Sequence, residues 1–183
     1  MREYQEISFR ARLVKTKAGK EFKYDKVIIA TGVNLDFDAI PGNRELMEAF
    51  GDFYSTLESA EKLWNTLWKM NDGRFVIAIA DPIYKCPPGP LKGAFLSNEL
   101  FVKRGLKEKV KVVLAVPFPH AYPAKSISDI IEPELEAKGI EVHTFFTVDS
   151  INTKEKRSTA LKEKSLNTLF PQSSRRMKGQ DMK

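Results

Sequence analysis

Phe75-Val76-Ile77-Ala78-Ile79-Ala80, running on into Asp81-Pro82-Ile83-Tyr84-Lys85-Cys86-Pro87-Pro88-Gly89-Pro90, is the stretch on which the fold turns. Six apolar residues without a break fit a strand covered on both faces, as in the interior of a parallel sheet. The next ten residues have loop chemistry and contain a single thiol. From Leu91 to Arg104 the pattern becomes helical, with Phe95, Leu96, Leu100 and Phe101 predicted inward and Gly105 as the stop. Strand, loop and helix together make half of a βαβ unit.

The alternation continues downstream. Val110–Val116 reads as a second strand and Pro117–Pro123 as a proline-rich loop. Ser126–Lys138 reads as a helix carrying Pro133, Gly139 closes it, and Ile140–Phe146 reads as a third strand. Strands alternating with helices predict an α/β fold, a Rossmann-like NAD(P)-type domain over residues 51–151 with a mostly parallel sheet. Upstream of Phe75, Leu57, Ala60, Leu63, Trp64, Leu67 and Trp68 recur at three- and four-residue spacing. They predict a helix capped by Ser55 and Glu58, with both tryptophans in the core. Residues 34–51 contain Pro41-Gly42 and read as a connector. Ile7–Val14 reads as a strand and Lys17-Ala18-Gly19-Lys20 as a turn. Phe22 and Tyr24 restart the apolar pattern, and Val27-Ile28-Ile29-Ala30 reads as a strand buried on both faces.

The whole chain has 183 residues, 42% apolar and 30% charged, the balance of a soluble globular protein. No apolar run approaches the roughly 20 residues of a membrane span, and the first residues have no signal-peptide core. The expectation is a cytoplasmic protein. The net charge of +6 belongs to one end: residues 154–183 hold nine Lys/Arg against three Asp/Glu, so the remainder balances at zero. The 152–183 segment reads as a basic, poorly ordered tail. It lacks the aromatics interleaved with charge that nucleic-acid binding asks for, so nucleic acid is not an expected partner.

Chemistry is concentrated at one residue. Cys86 is the only cysteine, which excludes an internal disulfide, and with His120 and His143 isolated no metal site is expected. A dinucleotide-binding βαβ unit carries G-x-G-x-x-G after its first strand, so that amides can reach a pyrophosphate. Here prolines stand in that place, and NAD is not expected. Two readings of Cys86 remain open on the residues alone. It is a small buried hydrophobe, or it is a nucleophile whose thiolate is favoured by the following helix and by Lys85.

The segment Cys86-Pro87-Pro88-Gly89-Pro90 resembles the middle-cysteine segment of sulfide:quinone oxidoreductases and flavocytochrome c sulfide dehydrogenases. Tyr24-Asp25-Lys26-Val27-Ile28-Ile29-Ala30-Thr31-Gly32 is similar to the Y-D-x-x-x-x-A-T-G strand of the wider pyridine nucleotide-disulfide oxidoreductase superfamily. Ile40-Pro41-Gly42 and Lys138-Gly139-Ile140-Glu141 resemble segments that follow it there. The resemblance covers about residues 1–150 and implies a partial chain: residues 1–50 would be an incomplete FAD-domain segment. It implies Cys86 as one of a redox cysteine pair, and Ala30, Thr31 and Gly32 along the flavin nucleotide. FAD would be held only with a partner supplying the pyrophosphate-binding half, with sulfide and quinone as substrates. The G-x-G-x-x-G strand and a second cysteine are absent from the sequence, and Lys92 stands where the family commonly has glutamate. Near-zero turnover is therefore expected from this chain alone. A peripheral place at the inner face of the membrane and a homo-oligomer are further expectations. The competing reading is a non-catalytic α/β interaction module or an inactive remnant of that fold.

Overall fold

The computed structural model describes residues 4–30, 32–153, 157–160, 165–167 and 177–178. In chain order the elements are β1 Tyr4–Ser8, β2 Leu13–Thr16, β3 Glu21–Lys23, β4 Asn34–Leu35, α1 Asn43–Phe50, α2 Leu57–Lys69, β5 Gly73–Ala78 and α3 Gly89–Lys103. They continue with β6 Val110–Ala115, α4 Lys125–Ala137, β7 Glu141–His143, β8 Val148–Asn152, β9 Arg157–Ala160, β10 Ser165–Asn167 and β11 Met177–Lys178. The chain divides into two compact units; the described residues of the first run up to Asn34, and the second runs from Leu35 to Lys178.

The second unit has the α/β architecture expected from the alternating pattern, over wider bounds than residues 51–151. Its sheet has the order β5-β6-β7 and every pairing is parallel, with Ile77 opposite Leu114 and Leu114 opposite Val142. The first two strands, β5 and β6, are covered on both faces over most of their length, so a near-continuous apolar run is what their position requires. One face carries Phe75, Ile77, Val112 and Leu114 against Leu63 and Leu67 of α2, Ala94 and Phe101 of α3, and Leu135 of α4. Phe75 and Phe101 meet edge to face, ring centroids 6.5 Å apart. The other face carries Val76, Ala78, Val113 and Ala115 against Leu46 and Met47 of α1, Val148 and Ile151 of β8, and Phe146. Alternate residues of one strand thus feed two separate cores. Gly105 N–H bonds Val102 O and Leu106 N–H bonds Phe101 O at 2.8 Å, which closes α3 where the stop was expected. Helix α4 runs through Pro133 without interruption.

Several expectations are corrected. Residues 34–51 are more than a connector: they contain α1, which contributes to the second core. Leu96 is 67% exposed, and Trp64 and Trp68 lie on the outer side of α2, each more than half exposed and stacked at 5.7 Å. Leu63 and Leu67 already fill the seam of α2, so the rings one position further round the helix point away. The third strand is short, Glu141–His143 only. Pieces of the 152–183 segment are strands: β9 pairs antiparallel with β8, and β10 with β9. Residues 154–156, 161–164, 168–176 and 179–183 of that segment lie outside the described residues.

The first unit is a meander in the order β1-β2-β3, antiparallel throughout. Its second turn is the one expected: Gly19 N–H bonds Thr16 O at 2.8 Å and Thr16 N–H bonds Lys20 O at 2.9 Å. Ile7–Val14 does not form one strand, because a first turn through Phe9–Arg12 folds it in two. Val27–Ala30 is corrected outright: it is not a strand, and Ile28 is 91% exposed. An apolar strand needs neighbours on both edges and both faces, and no described strand pairs with this run. Thr16 is the sole buried residue among the described ones of this unit.

Candidate functional site

The C-terminal ends of the parallel strands are where α/β sheets place ligands, because loops and helix N-termini converge there. Cys86 sits there, in the loop leaving β5, three residues before α3 begins. It is a free thiol and exposed, so the reading of a buried hydrophobe is withdrawn. Its φ of 54° is left-handed, a conformation non-glycine residues adopt at a cost. A hydrogen bond from Gly89 N–H to Cys86 O, 2.8 Å, holds the turn.

That bond also bears on the dinucleotide question. The first amides of a helix are the donors a pyrophosphate would use. Here Gly89 N–H is taken by Cys86 O, Lys92 N–H by Pro88 O, and Pro90 has none. Pro87 and Pro88 offer none either. Gly89 N–H, the first amide of α3, is thus spent within its own loop.

Two tyrosines frame the cysteine. Tyr84 is buried, its ring centroid 6.4 Å from that of Phe118 in the proline-rich loop, and its hydroxyl donates to Pro87 O at 3.3 Å. Burial, with Tyr122 and Cys86 adding to it, pushes its phenol up to about 12. Tyr54 comes from the segment before α2. Burial, then Cys86, then Tyr84 hold its phenol above the ordinary range, so it is an O–H donor at any working pH. Its hydroxyl lies against Gly89: a Cβ there would collide with it. That hydroxyl is sealed from solvent and has no hydrogen-bond partner.

The position of Tyr54 is set by a buried carboxylate. Asp52 is 4% exposed and accepts from Tyr54 N–H (2.5 Å), Ser55 N–H (2.7 Å), Ser55 Oγ (2.5 Å) and Ser59 Oγ (2.8 Å). Ser55 is therefore spent on Asp52, and the cap expected of it falls to Thr56, whose side chain accepts from Ser59 N–H at 3.1 Å. Lys85 is also engaged: its Nζ donates to Tyr54 O at 3.0 Å and stands 5.4 Å from the Tyr54 ring centre. The ammonium next to the cysteine in sequence thus braces Tyr54. No spacing rule links residue 54 to residue 86, and the sequence reading missed both Tyr54 and Asp52. The only local signal was a cluster of small polar residues after Gly51.

In α4, Glu132 binds the proline-rich loop. Its Oε1 accepts from Ala121 N–H and from Ser128 Oγ, both at 2.8 Å, and Ser128 Oγ in turn accepts from Tyr122 N–H at 3.2 Å. Those bonds, Ala121's first, hold the Glu132 carboxyl below its ordinary range.

The other expected site residues belong to the first unit. Ala30 is exposed, Gly32 has a φ of 69° with open space where a side chain would stand, and Thr31 lies outside the described residues. Among the described ones, Ala30 and Gly32 stand exposed with Ile28 facing outward beside them, so by themselves they do not enclose a flavin. Among the described residues no helix is long and apolar enough to cross a membrane.

No protein-family model matches the chain. A curated relative, the mitochondrial sulfide:quinone oxidoreductase of Mus musculus, is 27% identical over 135 residues, which is 71% of this chain and 29% of the relative. The chain therefore spans less than a third of that protein. Among solved structures, the sulfide:quinone oxidoreductase of Aquifex aeolicus superposes with a TM-score of 0.74 at 20% identity, covering 99% of this chain and 43% of that one. A NAD-dependent persulfide reductase from A. fulgidus gives 0.61 at 21% identity, covering 96% and 30%. At these identities the structural likenesses establish the fold.

Proposed function

Taking as premise that the chain is a partial relative of the sulfide:quinone oxidoreductases, we propose that it is the sulfur-handling portion of such an oxidoreductase, with Cys86 as the sulfur-accepting thiol. The observation that carries this is an exposed, left-handed cysteine on the loop at the C-terminal end of β5, framed by two tyrosines. The chemistry this chain can perform alone is sulfur exchange. The Cys86 thiolate attacks the outer sulfur of a persulfide donor, forming a new S–S bond. The donor's S–S bond breaks, and its electron pair leaves on the donor thiolate. The step is redox-neutral and uses only this residue.

Electron transfer belongs to a flavin that the chain's own residues do not cradle. On this reading FAD is bound only with a polypeptide supplying the pyrophosphate-binding half, and quinone reduction takes place in that assembly, with Ala30, Thr31 and Gly32 along the nucleotide. NAD has no part in it. Exposure to inorganic polysulfide, followed by intact-mass measurement, is expected to show adducts of whole sulfur atoms on the wild-type chain and none on Cys86→Ser. A wild-type protein that gains no sulfur refutes the reading. Sulfide-dependent quinone reduction by the pure chain is expected at background, and measurable turnover would overturn the dependence on a flavin-bearing partner.

A further inference from the structure

Tyr54 combines two properties that seldom persist together in a folded protein. Its hydroxyl is out of contact with water, and it bonds nothing. A buried O–H without an acceptor costs free energy that a folded chain ordinarily avoids, and such orphans mark places where a partner arrives later. Nor is the tyrosine loosely held. Asp52 fixes its amide, Lys85 fixes its carbonyl oxygen and covers its ring, and Gly89 is small enough to let the hydroxyl in. Gly89 is also the residue whose N–H holds the carbonyl of Cys86.

The missing acceptor has a definable chemistry. It has to arrive at the Cys86 turn and suit a phenol that stays protonated. The sulfur of Cys86 itself is not that acceptor, because the hydroxyl makes no bond to it. One more sulfur atom reaches about 2 Å further, and as a persulfide anion it accepts hydrogen bonds. We propose that the Tyr54 hydroxyl donates to the terminal sulfur of a persulfide carried on Cys86, so that the site holds the sulfur-loaded state in preference to the free thiol.

This rests on the sulfur-accepting role of Cys86, and the experiment separates the two. Wild-type chain and Tyr54→Phe are loaded with glutathione persulfide. The adduct on Cys86 is followed by intact mass and by thiocyanate released with cold cyanide. In parallel, the unloaded proteins are alkylated with iodoacetamide. Loss of a hydrogen bond to a charged acceptor is expected to shorten the adduct lifetime about tenfold in Tyr54→Phe, with the alkylation rate of the free thiol unchanged. Gly89→Ala, whose methyl takes the hydroxyl's place, is expected to shorten it likewise and serves if the first variant does not fold. Equal lifetimes in wild type and variants overturn the role of Tyr54 and leave Cys86 as a sulfur carrier. So does a parallel change in alkylation rate, which would make Tyr54 only a support of the loop. Absence of any adduct on the wild-type chain overturns the sulfur-carrying reading and this inference with it.

Discussion

At the scale of single residues, charge and hydrogen bonding around the β5 and β6 loops do most of the positioning. Glu132 is the clearest case because its effect can be titrated. Its carboxylate binds Ala121 N–H and Ser128 Oγ, and its pKa in the folded chain lies below the unfolded value. The stabilisation is then complete above the ordinary carboxylate range and fades as pH falls through the lowered folded value. Urea midpoints measured between about pH 5 and pH 3 should drop for wild type and drop less steeply for Glu132→Gln. Identical slopes would remove Glu132 as a source of acid sensitivity. Cys86 could be singled out in the sequence because prolines frame it. Tyr54 could not, since its relevance comes from an absent bond, and absences are visible only in three dimensions.

Among the elements, the longer apolar runs flanking the βαβ loops were the reliable signal, and amphipathic detail and the short Val27–Ala30 run the unreliable ones. Phe75–Ala80 and Val110–Val116 could be placed because a strand covered on both faces tolerates little else. The tryptophans of α2 misled because a six-residue apolar stripe is wider than the seam it packs into. Only Leu63 and Leu67 enter the core, while Arg104 stands 5.1 Å from the Trp68 ring centre and donates to Leu67 O and Met70 O, both at 3.0 Å. Val27–Ala30 misled for the opposite reason: its own residues favour a strand, but pairing is a property of neighbours. The junction of α1 with β8 offers a sharp test. Gly42 has a φ of 80°, a Cβ there would collide with the Ile151 backbone, and Ile151 N–H bonds Pro41 O at 2.9 Å. Gly42→Ala should cost more than about 2 kcal/mol in urea unfolding, through left-handed strain and the clash together. A change within experimental error would show that this junction yields freely.

For the molecule as a whole, the contrast between the units sets the order of events under stress. The second unit has two apolar clusters sharing one sheet, whereas the described part of the first buries a single threonine. So small an assembly has little to hold it closed. Dilute trypsin should therefore cut first among the exposed Lys17, Lys20, Lys23 and Lys26, leaving a resistant product that contains the parallel sheet. First cuts within α3 or α4 would contradict this. The solitary surface thiol at position 86 also has a practical consequence. A maleimide fluorophore or a nitroxide spin label can be attached at one defined point without mutating anything. Every measured signal would then originate beside Tyr54 and Tyr84, where an incoming polypeptide or a bound sulfur species would change it first.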